Sequence, residues 1–343
     1  MRRLLVAVLL SLALVAGAGW LWLESVLDRA GTRESMIELR VAKGDSLRGS
    51  LQRLADAGAL RHPSVVERWL RWQYPRFILK TGRYAIPAGA TPRQIVLQLN
   101  DGRVILESLT VIEGTRLADF RRALEIHPEI KVTLRGLSDT ELMRELGLAG
   151  HPEGRFFPDT YRFAAGTSDR ELLLLAYRRM TDLLARLWDD RAPGLPIDTP
   201  EQALVLASII EKESGVASER PRVAGVFVSR LRLGMRLQSD PTVIYGLGAQ
   251  YDGNIRRVHL TTDTPYNTYT RRGLPPTPIA LPSESALRAA LQPDITGDLF
   301  FVATGDADGS HRFSKTYAEH RLAVRAMLER QKMARASTPA SGS

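Results

Sequence analysis

The chain opens with an uncharged run that is long enough to cross a lipid bilayer. Arg2 and Arg3 precede this run, which extends from Leu4 to Leu23, and Glu24 is the first charged residue after it. About 20 apolar residues in a helix match the hydrocarbon thickness of a membrane. Positive residues before the run favour a cytoplasmic N-terminus, so we expect the rest of the chain on the other side of the membrane.

The same run also allows a second interpretation, a cleaved signal peptide, because Ala16-Gly17-Ala18 matches a small-residue cleavage site. However, the apolar run continues beyond that site through Trp20 and Trp22, and tryptophan is typical of membrane interfaces. We therefore favour an uncleaved anchor. The predicted segments are a cytoplasmic N-terminus at 1–3, a transmembrane anchor at 4–23 and a polar linker at 24–36.

Composition excludes several classes of function. The 343 residues include no cysteine, which excludes disulfides, thiol catalysis and Cys-ligated metal. The net charge of +9 favours anionic partners, but the arginines are scattered along the predicted helices, so we predict no nucleic-acid partner. The six histidines form neither an H-E-x-x-H pair nor a tight cluster with carboxylates, so we predict no metal site.

A short strand, a turn with glycine and an amphipathic helix recur three times after the linker. Aligned on Gly44, Gly89 and Gly114, the third residue before the glycine is Val41, Ile86 and Val111, and the tenth after it is Leu54, Leu99 and Leu124. These positions predict core contacts, and Ser46 and Thr91 are suited to cap the following helices. The first copy, Lys43 to Leu47, resembles the opening of a glycan-binding LysM module, although a generic capped helix fits equally well.

The second half of the chain has a different, helix-rich pattern. Helices are predicted over 170–189, 201–214, 218–232 and 316–332, with strands over 299–303 and 311–314 and a turn over 306–309. The fold class is therefore α+β. We expect a LysM-like α+β region over 37–150, a mixed helix-rich catalytic domain over 151–333, and a disordered tail over 334–343.

Two carboxylates, Glu211 and Glu213, follow a nearly all-apolar helix. Residues two apart do not share a helix face, so they cannot form a close acid–base pair. Glu213 lies three and four residues after Ile210 and Ile209, so its face is apolar and its pKa should rise, as a general acid requires. The alternative is that both glutamates form salt bridges with Lys212, Arg220 or Arg222.

A long motif surrounds these glutamates. It consists of Ala207-Ser208-Ile209-Ile210-Glu211-Lys212-Glu213, Ala217-Ser218-Glu219-Arg220, Val226-Phe227, Arg230-Leu231, Gly234-Met235-Arg236-Leu237-Gln238-Ser239-Asp240-Pro241-Thr242-Val243-Ile244-Tyr245-Gly246, Tyr266-Asn267-Thr268-Tyr269, Gly273-Leu274-Pro275-Pro276 and Pro278-Ile279. This pattern resembles the YceG-type endolytic murein transglycosylases, the MltG family, over nearly the whole chain. Ser214-Gly215 departs from the Thr-Ala of some members, which concerns the helix end more than the chemistry.

The resemblance implies a lyase that cuts the β-1,4 bond between N-acetylmuramic acid and N-acetylglucosamine and leaves 1,6-anhydro ends. The residue at the family's catalytic position is Glu213, and one carboxyl suffices because the nucleophile is the sugar's own C6 hydroxyl. No cofactor is implied. The resemblance also implies a single-pass inner-membrane protein, mostly periplasmic, that terminates nascent strands beside penicillin-binding proteins.

Five further residues are predicted to contact substrate. Gln238 and Asp240 follow a helix in a segment suited to present groups to a ligand, although Asp240 before Pro241 is equally suited to cap a helix. Aromatic rings and amides suit sugars, which favours Tyr245, Asn267 and Tyr269, although asparagine is also common in turns.

Two other functions remain open at this point. One is a hydrolase of the same substrate, with Glu219 or Asp240 as a second carboxylate. The other is a membrane-tethered glycan-binding scaffold without catalysis, in which residues 38–125 bind the polymer.

Overall fold

The structure is a computed structural model that describes residues 1–306 and 308–337. The chain divides into two compact units. Unit 1 comprises Met1–Ser108, Pro128–Lys131 and Arg162–Thr167. Unit 2 comprises Leu109–His127, Val132–Tyr161 and the described chain from Ser168 onward.

The structure combines many helices with a few short strands, which confirms the α+β class. The helices are α1 (Arg2–Asp28), α2 (Leu47–Asp56), α3 (Pro63–Gln73), α4 (Pro92–Asp101), α5 (Leu117–Ile126), α6 (Asp139–Leu146), α7 (Asp169–Asp189), α8 (Pro200–Glu213), α9 (Arg220–Arg232), α10 (Asp240–Leu247), α11 (Arg257–Thr261), α12 (Glu284–Leu291) and α13 (Tyr317–Ser337). The strands are β1 (Ile37–Val41), β2 (Gly82–Ile86), β3 (Leu106–Thr110), β4 (Thr160–Ala164), β5 (Phe300–Ala303) and β6 (His311–Ser314). They form three two-stranded sheets, β1–β2, β3–β4 and β5–β6.

Helix α1 is long and apolar enough to cross a membrane, and its last turn is packed into unit 1. Leu27 is completely buried in the core of that unit. The guanidinium of Arg93 in α4 donates a hydrogen bond to Asp28 at 2.8 Å and also pairs with Glu24. The helix therefore continues five residues into the segment predicted as a linker, and these contacts fix its end to unit 1.

The predicted strand–turn–helix copies are present. In unit 1, β1 pairs antiparallel with β2 from Ile37↔Ile86 to Val41↔Gly82. The Ser46 hydroxyl accepts from the Gly49 amide and that of Thr91 from the Gln94 amide, so both predicted caps are confirmed. The aligned core positions are all at most 5% exposed: Val41, Ile86, Val111, Leu54, Leu99 and Leu124. The third copy consists of β3 and α5, and its helix belongs to unit 2.

Helix α8 lies at the centre of the core of unit 2. Its residues from Ala203 to Ile210 are all buried, and it packs against α7, α9, α10 and α12. Burial on all sides explains why its sequence is apolar nearly all round. The close packing includes Gly225 in α9, where a Cβ atom would lie 1.9 Å from the backbone oxygen of Asp294.

The C-terminal elements agree with the predicted strands and helix to within a few residues. Strand β5 pairs antiparallel with β6, from Phe300↔Ser314 to Ala303↔His311. Helix α13 extends to Ser337, four residues into the predicted tail. The rest of that tail, 338–343, and Ala307 of the predicted turn lie outside the described residues.

Candidate active site

Glu213 is the last residue of α8, and its carboxyl is half-buried at the end of the buried helix. The hydroxyl of Ser239 donates a hydrogen bond to Oε1 of Glu213 at 2.5 Å. Burial raises the pKa of Glu213 to about 7, and the charge of Asp240 acts in the same direction, while the Ser239 hydrogen bond and the Arg230 charge oppose the rise. A large fraction of this carboxyl is therefore protonated at neutral pH, as predicted from its apolar face.

Glu211 has a different environment, although it lies only two residues away. Its buried carboxylate forms an ion pair with Arg220 at 2.7 Å and accepts hydrogen bonds from the amide and hydroxyl of Ser283. The two glutamates contact different groups, as helical geometry requires. The salt-bridge interpretation is therefore correct for Glu211, whereas Glu213 contacts a hydroxyl.

The segment before α10 brings Ser239 to Glu213. Gln238 has φ +53°, the only positive φ at a non-glycine residue within the described chain. Its amide donates to the carbonyl oxygen of Thr268 at 3.1 Å, and the Ser239 amide donates to the Thr268 hydroxyl at 3.0 Å. An uncommon backbone conformation held by neighbouring hydrogen bonds is a frequent property of functional sites.

Arg230 of α9 supplies a buried positive charge to the site. Its Nε donates to the carbonyl of Leu299 and one terminal nitrogen donates to that of Leu237, both at 2.7 Å. Burial lowers the pKa of Arg230, and the charge of Glu213 partly opposes this. Arg230 lies within the family motif, but its position in α9 carries no sign in the sequence that it acts on Glu213.

Three of the five predicted substrate contacts lie beside Glu213. The exposed Gln238 and Asp240 flank Ser239, and the Tyr269 hydroxyl donates to Oδ1 of Asp240 at 2.6 Å. Burial, together with the hydrogen bond to Asp240, raises the pKa of Tyr269. The phenol therefore remains a neutral donor over the physiological range.

Asn267 holds the loop that carries Tyr269. Its side chain is 1% exposed, and its amide nitrogen donates to the carbonyls of His259, Leu260 and Thr262. Its amide oxygen accepts from the Tyr269 backbone at 2.9 Å. Direct contact of Asn267 with substrate stays a prediction, and in this structure the side chain binds backbone groups.

Tyr245, the fifth predicted residue, binds a carboxyl that the sequence analysis did not select. Its hydroxyl donates to Oε2 of Glu153 at 3.2 Å, and Oε1 of Glu153 accepts from the Leu117 amide at 3.0 Å. Burial raises the pKa of Glu153 to about 7, opposed by these two hydrogen bonds and the Arg116 charge. In the sequence, the pair Glu153-Gly154 indicates a turn at this position, but it does not indicate that the carboxyl is buried.

The hydrolase alternative requires a second carboxylate, and the two candidates for it are Glu219 and Asp240. Glu219 binds His311, whose backbone amide lies 3.1 Å and whose Nδ1 lies 2.8 Å from its carboxylate oxygens. The charge of Asp240 acts on Glu213 and raises its pKa. Within the described residues, no group of three or more His, Cys, Asp or Glu side chains is arranged to hold a metal ion.

The family model of the YceG-like family matches residues 39–326, which include the whole of this site. The chain belongs to the YceG-like family. It is 27% identical over 329 residues to the endolytic murein transglycosylase of Bacillus subtilis, covering 90% of each chain. It is 24% identical to the endolytic murein transglycosylase of Streptococcus pneumoniae. That match includes 88% of this chain and 61% of the longer Streptococcus protein.

A solved structure supports the same assignment. The crystal structure of a YceG-like protein from Listeria monocytogenes is similar with a TM-score of 0.54 and 27% sequence identity. The match covers 84% of this chain and 99% of the Listeria chain. The similarity therefore includes most of both chains.

Proposed function

We propose that this chain is an endolytic peptidoglycan lytic transglycosylase in which Glu213 is the single catalytic acid and base. The observation that carries the proposal is the half-buried carboxyl of Glu213, whose pKa of about 7 keeps it protonated near neutrality. Family membership and relatives named endolytic murein transglycosylase support the substrate class.

The first chemical step uses the proton of Glu213. Ser239 donates to Oε1, which leaves Oε2 to carry the proton that is transferred to the glycosidic oxygen. The bond between C1 of N-acetylmuramic acid and that oxygen breaks, and the bond electrons leave with the N-acetylglucosamine. Positive charge then develops at C1 of the muramyl ring.

The second step returns the proton. The Glu213 carboxylate, stabilised by the Ser239 hydroxyl and the Arg230 charge, accepts the proton of the C6 hydroxyl while that oxygen bonds to C1. The product is a 1,6-anhydro-muramyl end, and no water is consumed. A site with one catalytic carboxyl is sufficient because the substrate provides the nucleophile.

The proposed position of the reaction rests on α1, which is long and apolar enough to be a membrane anchor. Anchored in the inner membrane with the remaining chain periplasmic, the enzyme would act on nascent glycan strands as they leave the membrane. In that position it would terminate strands made by penicillin-binding proteins. The strand–turn–helix copies of unit 1, through their LysM resemblance, would bind glycan close to the anchor.

The test is digestion of purified glycan strands by the full-length enzyme in detergent, with products identified by mass spectrometry. Wild-type enzyme is expected to yield 1,6-anhydro ends, which are 18 mass units lighter than reducing ends because no water is added. Glu213→Gln is expected to lose at least about a thousandfold in rate while it remains folded.

Matched variants separate the alternatives. Glu219→Gln should keep anhydro production within about threefold, because Glu219 binds His311 and takes no part in the reaction. Reducing ends that disappear in Glu219→Gln or Asp240→Asn would instead establish a two-carboxylate hydrolase. Strand binding without cleavage by the wild type, unaffected by Glu213→Gln, would establish a scaffold.

A further inference from the structure

Glu153 is a buried carboxyl that the proposed reaction does not use. It is 5% exposed and lies in the turn that precedes β4. Its two oxygens accept hydrogen bonds from different elements, the Leu117 amide at the start of α5 and the Tyr245 hydroxyl in α10. A buried carboxyl in such a position costs stability, so its presence calls for a role.

The turn that carries Glu153 is fixed to α8, the helix that ends at Glu213. Gly154 has φ +80°, and a Cβ atom there would lie 2.5 Å from Cβ of Pro278. The neighbouring Ile279 donates its amide to the Ser208 hydroxyl in α8 at 3.0 Å. Ser208 precedes Glu213 by five residues, roughly 7.5 Å along the helix axis. The turn, the Pro278–Ile279 segment and α8 therefore form one packed block.

Helix α10 is attached to this block at two places. At its start, Ser239 donates to the Glu213 carboxyl. Six residues later, roughly 9 Å along the axis, Tyr245 donates to Glu153, and its ring packs 4.9 Å from that of Tyr266. Between them, the buried Thr242 hydroxyl hydrogen-bonds to that of Thr268 at 2.9 Å, so the Tyr245–Glu153 bond holds the C-terminal half of the helix.

We propose that Glu153 is a positioning residue that fixes α10 against α8 through the Tyr245 hydroxyl and thereby holds Ser239 at the carboxyl of Glu213. The inference rests on the proposed catalytic function of Glu213. Glu153 itself makes no contact with substrate. Its effect passes through α10 to the hydrogen bond that orients the acid.

The kinetic test is the pair of variants Glu153→Gln and Tyr245→Phe, which are nearly isosteric. Tyr245→Phe removes the hydroxyl donor, and Glu153→Gln leaves one side-chain oxygen for two donors, the Leu117 amide and the Tyr245 hydroxyl. Each is expected to lower kcat on purified glycan strands by roughly tenfold to a hundredfold with KM within about twofold, because the acid is misaligned and binding is not. The double variant should be no slower than the slower single variant, since both act through one bond.

The pH profile separates positioning from loss of folding. The Ser239 hydrogen bond lowers the pKa of Glu213, so a weakened bond should raise that pKa and move the alkaline limb of the kcat profile to higher pH. A matched control is Asp169→Asn, another carboxylate in unit 2 that is 3% exposed and accepts from the Thr133 and Leu134 amides. The control should leave kcat per folded molecule and the alkaline limb unchanged.

A measurement without substrate tests the same link. Amide hydrogen exchange of Val243–Leu247 should be faster in Glu153→Gln and Tyr245→Phe than in wild type or Asp169→Asn. The positioning role would be overturned by unchanged exchange in this segment or by an unchanged kcat. It would also be overturned by a raised KM at constant kcat, or by additive effects in the double variant. A wild type that yields no anhydro ends would refute the proposed function alone, because the exchange result does not depend on the reaction.

Discussion

Replacement of Glu213, the proposed catalytic acid, should stabilise the protein, and the gain should depend on pH. A carboxyl whose pKa is raised by folding binds its proton more tightly in the folded state than in the unfolded state. As pH increases from the ordinary pKa to the raised one, ionisation favours the unfolded chain and stability falls. Glu213→Gln is neutral at every pH and keeps an oxygen for the Ser239 hydroxyl, so it avoids that loss.

The magnitude follows from the two pKa values of Glu213. Folding raises the pKa from 4.5 to about 7, and each unit corresponds to 1.36 kcal/mol, so full ionisation costs about 3 kcal/mol. At pH 8.5 nearly all of this cost is present, whereas at pH 4.5 less than about 0.5 kcal/mol remains. For a unit of this size, 3 kcal/mol corresponds to a midpoint increase of roughly 6–12 °C at the higher pH.

The assay is thermal unfolding of full-length wild type and Glu213→Gln in detergent at pH 4.5 and pH 8.5, compared at each pH. Other titrating groups, including Glu153, are common to both proteins and cancel in the difference. Glu201→Gln, an exposed glutamate in the first turn of the same helix, should change the midpoint equally little at both pH values. An equal change for Glu213→Gln at the two pH values would refute the assignment of a burial-raised pKa.

Three further predictions concern the surroundings of the acid. Glu211→Gln should destabilise unit 2 by about 3–5 kcal/mol in denaturant unfolding, because the buried Arg220 guanidinium would lose its short ion pair and keep only the exposed Glu113 carboxylate at 4.0 Å. Ser239→Ala should move the alkaline limb of the kcat profile to higher pH, because the Ser239 hydrogen bond lowers the pKa of Glu213 and its loss would raise that pKa. An unmoved limb would contradict this. Gly225→Ala should lower stability by about 3 kcal/mol without a change in pH profile, because its Cβ would overlap a backbone oxygen.

Features that depend on local spacing were predictable from the sequence. The period of a helix separates Glu211 from Glu213, and the structure gives them different partners. The helix caps at Ser46 and Thr91 likewise depend on groups three residues away, and both hydrogen bonds are present. The bounds of α8 differ from the predicted ones by one residue at each end.

Features that depend on distant contacts were not predictable. Ser239 is 26 residues from Glu213, and nothing in the spacing indicates that they meet. Glu153 is 92 residues from Tyr245, so its role becomes visible only when the chain is folded. The positive φ of Gln238 is also a tertiary effect, since glutamine has no local preference for that conformation. The family resemblance led to Glu213 as the proposed acid, but the groups that contact its carboxyl became visible only in the folded structure.

Under the proposed function α1 spans the membrane, and its attachment to unit 1 then sets how far that unit can move from the bilayer. A flexible linker over 24–36 would let the unit sample roughly 20 Å above the membrane surface. Instead, Asp28 lies only about 7.5 Å along the helix beyond Leu23, and Leu27 and Arg93 hold that end in the core. Glycan bound by unit 1 would therefore lie in the layer directly above the lipid headgroups. Older wall material, further from the membrane, would be out of its reach.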